Sequence, residues 1–211
     1  MTQTQLVRRV VKPVVFAACL APFLWLAYRT YQGDLGANPI ETITNTTGIW
    51  TLRLIVITLA ITPVRWLTRW NPIINFRRMI GLFAFFYGTV HFMIYFVLDR
   101  SLMFAGLWED IVKRPYITMG FTGFVLMIPL ALTSTKGWIR RLGGYRWNLL
   151  HRLIYLTAVF AVVHYWWKVK LDVTDPMFYA AIVAILLSVR VFRWLAKRQA
   201  SAAARTAPAR T

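Results

Sequence analysis

One cysteine, three histidines and seven acidic residues are all that 211 positions contain of these types, and each scarcity excludes something. A lone Cys19 rules out an intramolecular disulfide and any thiolate-cluster metal site, which leaves packing as its role. No glycine-rich dinucleotide fingerprint occurs, so the chain has no nicotinamide-oxidising site of a familiar kind. The few acids stand against 25 lysines and arginines, for a net charge of +18. Those basic residues do not gather on one soluble face, as a nucleic-acid surface requires, but alternate between loops. There is also no polar stretch long enough for a separate soluble domain.

What is abundant is apolar. The chain is 58% hydrophobic and 16% aromatic, and its apolar residues fall in blocks of roughly 18–20, the length that crosses a bilayer as a helix. Six blocks are read, at about 14–31, 46–64, 79–98, 116–133, 149–168 and 177–195. The expected fold class is therefore all-α: a polytopic membrane protein with a six-transmembrane-helix bundle over residues 1–199. Residues 200–211, ASAAARTAPART, are biased in composition and are expected to form a disordered tail. The first block lacks a small-residue cleavage site after it and reads as a retained span.

Charge then sets orientation. Arg8, Arg9 and Lys12 precede the first span; Arg65, Arg69, Arg77 and Arg78 lie between the second and third. Lys136, Arg140, Arg141, Arg146 and Arg152 surround the link to the fifth, and Arg193, Lys197, Arg198, Arg205 and Arg210 follow the sixth. The positive-inside rule puts both termini in the cytoplasm. Asp34, Glu41, Asp99, Glu109, Asp110, Asp172 and Asp175 then all fall in the three outer loops.

Ionisable residues inside a membrane are costly and point to function. Read as one helix, the fifth block separates His151 and His164 by about 20 Å along the axis and about 140° around it, so they cannot share a ligand. His91, in the outer half of the third span, matches the depth of His164. Two imidazoles facing each other across a bundle interior are what bis-histidine ligation of a haem iron needs. Gly81, Ala84 and Gly88 recur at 3- and 4-residue steps on the His91 face, where they leave room for a flat macrocycle or let helices pack closely. Zinc is the poorer fit, because no carboxylate or thiol lies at that depth.

His151 has no histidine partner. Arg77 lies within about 40° of the His91 face and roughly 21 Å closer to the cytoplasm, at the level of His151. A guanidinium is a poor iron ligand but suits a phosphate or a haem propionate. The inner site is thus a haem with one histidine ligand, a flavin phosphate pocket, or a charge cluster in which Arg77 and Arg78 anchor at lipid headgroups. Arg53, one turn inside the outer end of the second span, is either a propionate partner for the outer haem or a snorkelling residue. Trp66, Trp70, Trp166 and Trp167 read as interfacial belt residues.

Several motifs then fall in order: PFLWLAY and GDLGANPIE near the first span, TG at Thr47 and Gly48, ITP at Ile61 to Pro63, and RRMIGLF followed by the TVH that contains His91. RPYITMG at Arg114 to Gly120, ALTST at Ala131 to Thr135, Trp147 with LHRLIYL, and HYWWKVK at His164 to Lys170 complete the series. Through them the chain resembles, from about Pro22 to Lys170, the haem-binding membrane subunits of the bacterial periplasmic protein-methionine-sulfoxide reductase system, the MsrQ (YedZ) family. That family lies within the ferric-reductase-like transmembrane group.

The resemblance implies a haem b protein of the bacterial inner membrane that takes electrons from the quinone pool or a cytosolic flavin-linked donor. It passes them to a periplasmic molybdenum-cofactor reductase, its heterodimer partner, which repairs oxidised methionines in proteins. His91, His151 and His164 match the family's haem-ligand candidates; one haem is expected, with a second left open at His151. The family is also associated with FMN, for which no motif is recognisable here. On this reading the chain is an electron-transfer subunit and not itself the substrate-reducing enzyme. The alternatives are a membrane reductase acting directly on ferric iron or another small acceptor, and a cofactor-free structural protein.

Overall fold

The computed structural model describes residues 3–99, 102–169 and 171–206. Lys170 and the last part of the expected tail, 207–211 with Arg210, lie outside them. Among the described residues every regular element is a helix. A short helix, Gln3–Leu6, and a π-helical turn, Val7–Val11, lead into α1, Lys12–Tyr31. Then come α2, Pro39–Thr68; α3, Ile74–Ile94, extended by a π-helical turn at Tyr95–Asp99; and α4, Phe104–Lys113. The remainder is α5, Pro115–Leu132; α6, Lys136–Leu150; α7, Leu153–Lys168; and α8, Thr174–Thr206.

Local chemistry explains where the helices start. Asn38 caps α2, its side-chain oxygen accepting from the Glu41 amide at 3.3 Å while its amide group donates to the Glu41 carboxylate at 3.0 Å. With Pro39 in the first turn this is a reciprocal cap. Pro115 opens α5, and Thr135 caps α6 by accepting from the Trp138 amide at 3.3 Å. Asp172 accepts from the Thr174 amide at 2.9 Å just before α8. Hydrogen bonds from the Thr174 side chain and backbone hold the Asp172 carboxyl below its usual value.

Among the described residues five helices are single units long and apolar enough to cross a membrane: Arg9–Tyr31, Pro39–Thr68, Asn71–Leu98, Pro115–Leu132 and Thr174–Ala202. The expected span at 149–168 differs. It is not one straight helix: α6 and α7 meet at a 40° bend, and only the pair together passes as a sixth span. His151 and Arg152 form the turn at that bend, so the angular relation of His151 to His164 computed for a continuous helix does not apply. Gly143, at φ 71°, breaks α6 itself. The tail differs as well, since α8 continues through Ala200 to Thr206, where Ala, Lys, Arg and Gln favour helix.

The bundle is built on two intimate pairs, α2 with α3 and α5 with α7, joined by α3 against α5 and α2 against α7. Buried Leu52, Ile55, Leu59, Phe83, Ala84 and Tyr87 fill the first junction, and Ala158 and Val162 extend the core toward α8. α1 is tied on by the Tyr87 hydroxyl, which donates to the Cys19 carbonyl at 2.9 Å; Cys19 is a buried free thiol. The charges segregate. With each span crossing the bundle in turn, the described acids Asp34, Glu41, Glu109, Asp110, Asp172 and Asp175 collect at one end, the acidic end, and the arginine-rich links at the other, the basic end.

Replacing Tyr87 with Phe deletes this side-chain hydrogen bond from α3 to α1. Thermal unfolding in detergent should register a loss of about 1 kcal/mol, and an unchanged midpoint would show that the bond contributes nothing.

Candidate functional site

His91 on α3 and His164 on α7 meet across the interior. Their ring centroids are 6.2 Å apart with the planes at 79°. His91 Nδ1 lies 2.9 Å from the Thr44 carbonyl oxygen, and His164 Nδ1 lies 2.6 Å from that of Tyr116. A carbonyl oxygen only accepts, so in both rings Nδ1 carries the proton and donates, and the lone pair sits on Nε2. This is how a metal-binding imidazole is held in its ligating tautomer.

Two glycines make these contacts geometrically feasible. Thr44 lies one turn before Gly48 on α2, and Tyr116 lies one turn before Gly120 on α5. A Cβ at Gly48 would stand 3.0 Å from His91 Cε1 and 3.1 Å from its Nδ1. At Gly120 it would stand 2.6 Å from His164 Nδ1 and 2.8 Å from Cε1. Each imidazole thus lies in a notch cut into a neighbouring helix and bonds to the carbonyl one turn below. Sequence reasoning missed this role for Gly48 and Gly120; the signal was a glycine four residues after a helical position on a facing span, in TG and in ITMG.

The fit to haem follows from the donor set. Among the described residues no group of three or more His, Cys, Asp or Glu side chains gathers to hold a metal ion, so an ion bound here needs its remaining ligands from elsewhere. A haem would bring those with it, and His91 and His164 would hold it through Nε2, the nitrogen their carbonyl bonds leave free.

Among the described residues, Arg53 of α2 and Lys168 of α7 are cations toward this end. Arg53 is exposed; its Nε donates to the Tyr179 hydroxyl at 3.1 Å, and its guanidinium stands 5.0 Å over the Trp50 ring. Lys168, one turn beyond His164, donates to the Asn45 side chain beside Thr44 and acts electrostatically on both imidazoles. The sequence reading did not single out Lys168.

The small residues of α3 have other neighbours. A Cβ at Gly81 would meet the Thr58 side chain at 3.6 Å, and one at Gly88 would meet Thr51 at 3.5 Å and Phe124 at 3.7 Å. Ala84 is 1% exposed. In this arrangement Gly81, Ala84 and Gly88 let α2 and α3 approach closely.

At the basic end, His151 and Arg77 line one cavity of about 320 Å³ with Tyr145, Asn148, Leu149, Arg152 and Tyr155. Arg78 is exposed and does not line it. The His151 ring stacks on Trp147, centroids 3.9 Å apart, and its Nε2 is 3.1 Å from Thr133 Oγ1. That hydroxyl donates its single proton to the Pro129 carbonyl at 2.6 Å, so toward His151 it accepts. Nε2 therefore carries the proton, the opposite tautomer from the outer pair, and the nitrogen that would bind iron by analogy with His91 is engaged.

Comparison with known proteins places this geometry. Residues 47–162 match the family model for the ferric reductase like transmembrane component. That stretch includes His91 and His151 and stops just short of His164. The chain is 50% identical to the protein-methionine-sulfoxide reductase heme-binding subunit MsrQ of Herminiimonas arsenicoxydans, over 95% of this chain and 94% of that one. It is 49% identical to the subunit of the same name from Ralstonia nicotianae, over 96% and 94%. For that from Xanthomonas axonopodis pv. citri the identity is 48%, over 95% and 94%. No solved structure matches.

Gly120→Ala should displace the His164 ring more than Gly48→Ala displaces His91, because the added carbon meets its ring at 2.6 Å instead of 3.0 Å. Overpacking of this kind costs about 1–3 kcal/mol. Haem content per purified protein should fall in both variants and further in Gly120→Ala; full content in both would show that the notches are not required.

Proposed function

We propose a function from one premise, that this chain belongs to the MsrQ family of protein-methionine-sulfoxide reductase haem-binding subunits and, with them, to the ferric-reductase-like transmembrane components. It is a multi-pass membrane protein. It carries one haem b between His91 and His164 and passes electrons across the bacterial inner membrane to a periplasmic molybdoenzyme that reduces methionine sulfoxide in proteins. The observation that carries this reading is the imidazole pair, 6.2 Å between centroids with both Nδ1 atoms tied to backbone carbonyls.

The remaining residues have parts that follow from position. The thirteenth residue beyond the basic Arg78 on α3, and the last turn but one of α7, put His91 and His164 near the acidic end. The positive-inside rule makes that end periplasmic and the basic end cytoplasmic, with both termini. Haem would supply one-electron carriage here, and His91 and His164 would hold it. Phe92 and Phe124, stacked at 5.1 Å beside the site, keep water out. Among the described residues, Arg53 and Lys168 are cations at this end that would serve haem carboxylates. The quinone pool or a cytosolic flavin-linked donor feeds the basic side, and the reductase docks at the acidic one.

His91→Ala or His164→Ala should remove the reducible Soret and α bands, and retention of those bands in both variants would refute the ligand pair. The decisive assay reduces the purified protein and follows its reoxidation. The proposed function requires reoxidation by the periplasmic reductase supplied with protein-bound methionine sulfoxide. Reoxidation by a ferric chelate but not by that reductase would assign the chain to direct reduction of small acceptors.

A further inference from the structure

We infer that the cavity at the basic end is a binding site for a phosphate group, supplied by the headgroup of an anionic phospholipid. This rests on the reading above only in taking the basic end as the cytoplasmic face. Arg77 reaches the cavity from α3 and Arg152 from the turn between α6 and α7. A third guanidinium stands behind them: Arg190 of α8 lies 5.6 Å over the ring of Tyr155, itself a lining residue. Arg190 donates to the Leu59 and Leu186 carbonyls and is near enough to Arg77 for their like charges to act on one another.

Guanidiniums do not shed their protons, so this gathering is held together against its own repulsion. None of the ion pairs found among the described residues involves these three arginines; those pairs lie at Asp34, Glu109 and Asp110, at the acidic end. Among the described residues no carboxylate is paired with these arginines, so the site is open to an external anion. The donors suit a phosphate: two planar guanidinium forks line one space with Tyr145 and Tyr155, and guanidiniums match an oxyanion with several acceptor oxygens; the Asn148 amide is already engaged, donating to the Gly144 carbonyl at 2.7 Å.

A lipid is favoured over a free ion by the rim. Leu149 and Tyr145 line the same cavity yet are 52% and 80% exposed, so cationic, aromatic and apolar surface meet at one opening. An amphiphile uses all three; inorganic phosphate uses only the first. Basic pockets between helices on the cytoplasmic side are where acidic lipid headgroups lodge.

The test uses the full chain in nanodiscs of phosphatidylcholine alone and of phosphatidylcholine with phosphatidylglycerol, plus a detergent sample titrated with inorganic phosphate. Thermal unfolding gives the stabilisation and native mass spectrometry the retained lipid. Phosphatidylglycerol should raise the midpoint of the unmodified protein and be retained on it. Arg77→Gln with Arg152→Gln should lose both effects and keep the absorbance of the His91–His164 haem. Should the double variant fail to fold, Arg152→Gln alone, in an exposed turn, should weaken retention. An equal shift from inorganic phosphate keeps the phosphate site and reassigns its source.

The proposal is overturned if neither source shifts the unmodified protein, if the arginine variants respond as it does, or if they lose a haem equivalent. Absence of haem from the unmodified protein would instead refute the electron-transfer function and leave the lipid result standing.

Discussion

A hydrogen bond from each outer imidazole to a helix carbonyl, made through a notch where a glycine stands, is the interaction on which the rest of this structure depends. Inside hydrocarbon no water is available to satisfy a ring nitrogen, so an unpartnered Nδ1–H would cost several kcal/mol. The nearest acceptors are carbonyls already used within helices, and an imidazole reaches one only where the neighbouring helix lacks a Cβ. Gly48 and Gly120 provide that absence. One contact therefore fixes the tautomer, the ring orientation and the approach of α2 to α3 and of α5 to α7.

The two ends of the molecule obey opposite electrostatic rules. At the acidic end the histidines keep neutral, directed lone pairs, and Arg53 and Lys168 are engaged by Tyr179 and Asn45. At the basic end Arg77 and Arg152 line one cavity and Arg190 stands over the ring of its Tyr155, with no described carboxylate paired to any of them. The histidine there is turned the other way, its Nε2–H spent on Thr133. The same side chain thus serves as a lone-pair donor at one end and as a hydrogen-bond donor at the other, according to which backbone and hydroxyl groups face it.

Much of this was legible in the order of residues. Apolar blocks, alternating basic loops and the depth of His91 and His164 follow from helix rise and hydrocarbon thickness alone. Other features were not. The turn at His151 breaks what reads as a continuous apolar helix, because no proline or glycine marks it. The stripe of Gly81, Ala84 and Gly88 shares a face with His91, yet its neighbours are Thr58, Thr51 and Phe124. Periodicity names a face without naming what lies against it. Nothing in the HYWWKVK motif pointed to the partner of Lys168, which the fold sets beside Asn45.

By itself, then, the sequence determined the membrane class, the number of apolar blocks, the segregation of charge and the pairing in depth of two histidines. These are properties of single helices, set by local hydropathy and by 1.5 Å of rise per residue. Only the tertiary structure decided which glycines receive the imidazoles, which nitrogen of each ring keeps its lone pair, and which arginines converge at the basic end. Those depend on contacts between helices distant in the chain, where the presence or absence of one methyl-sized group on a facing surface determines whether a hydrogen bond can form.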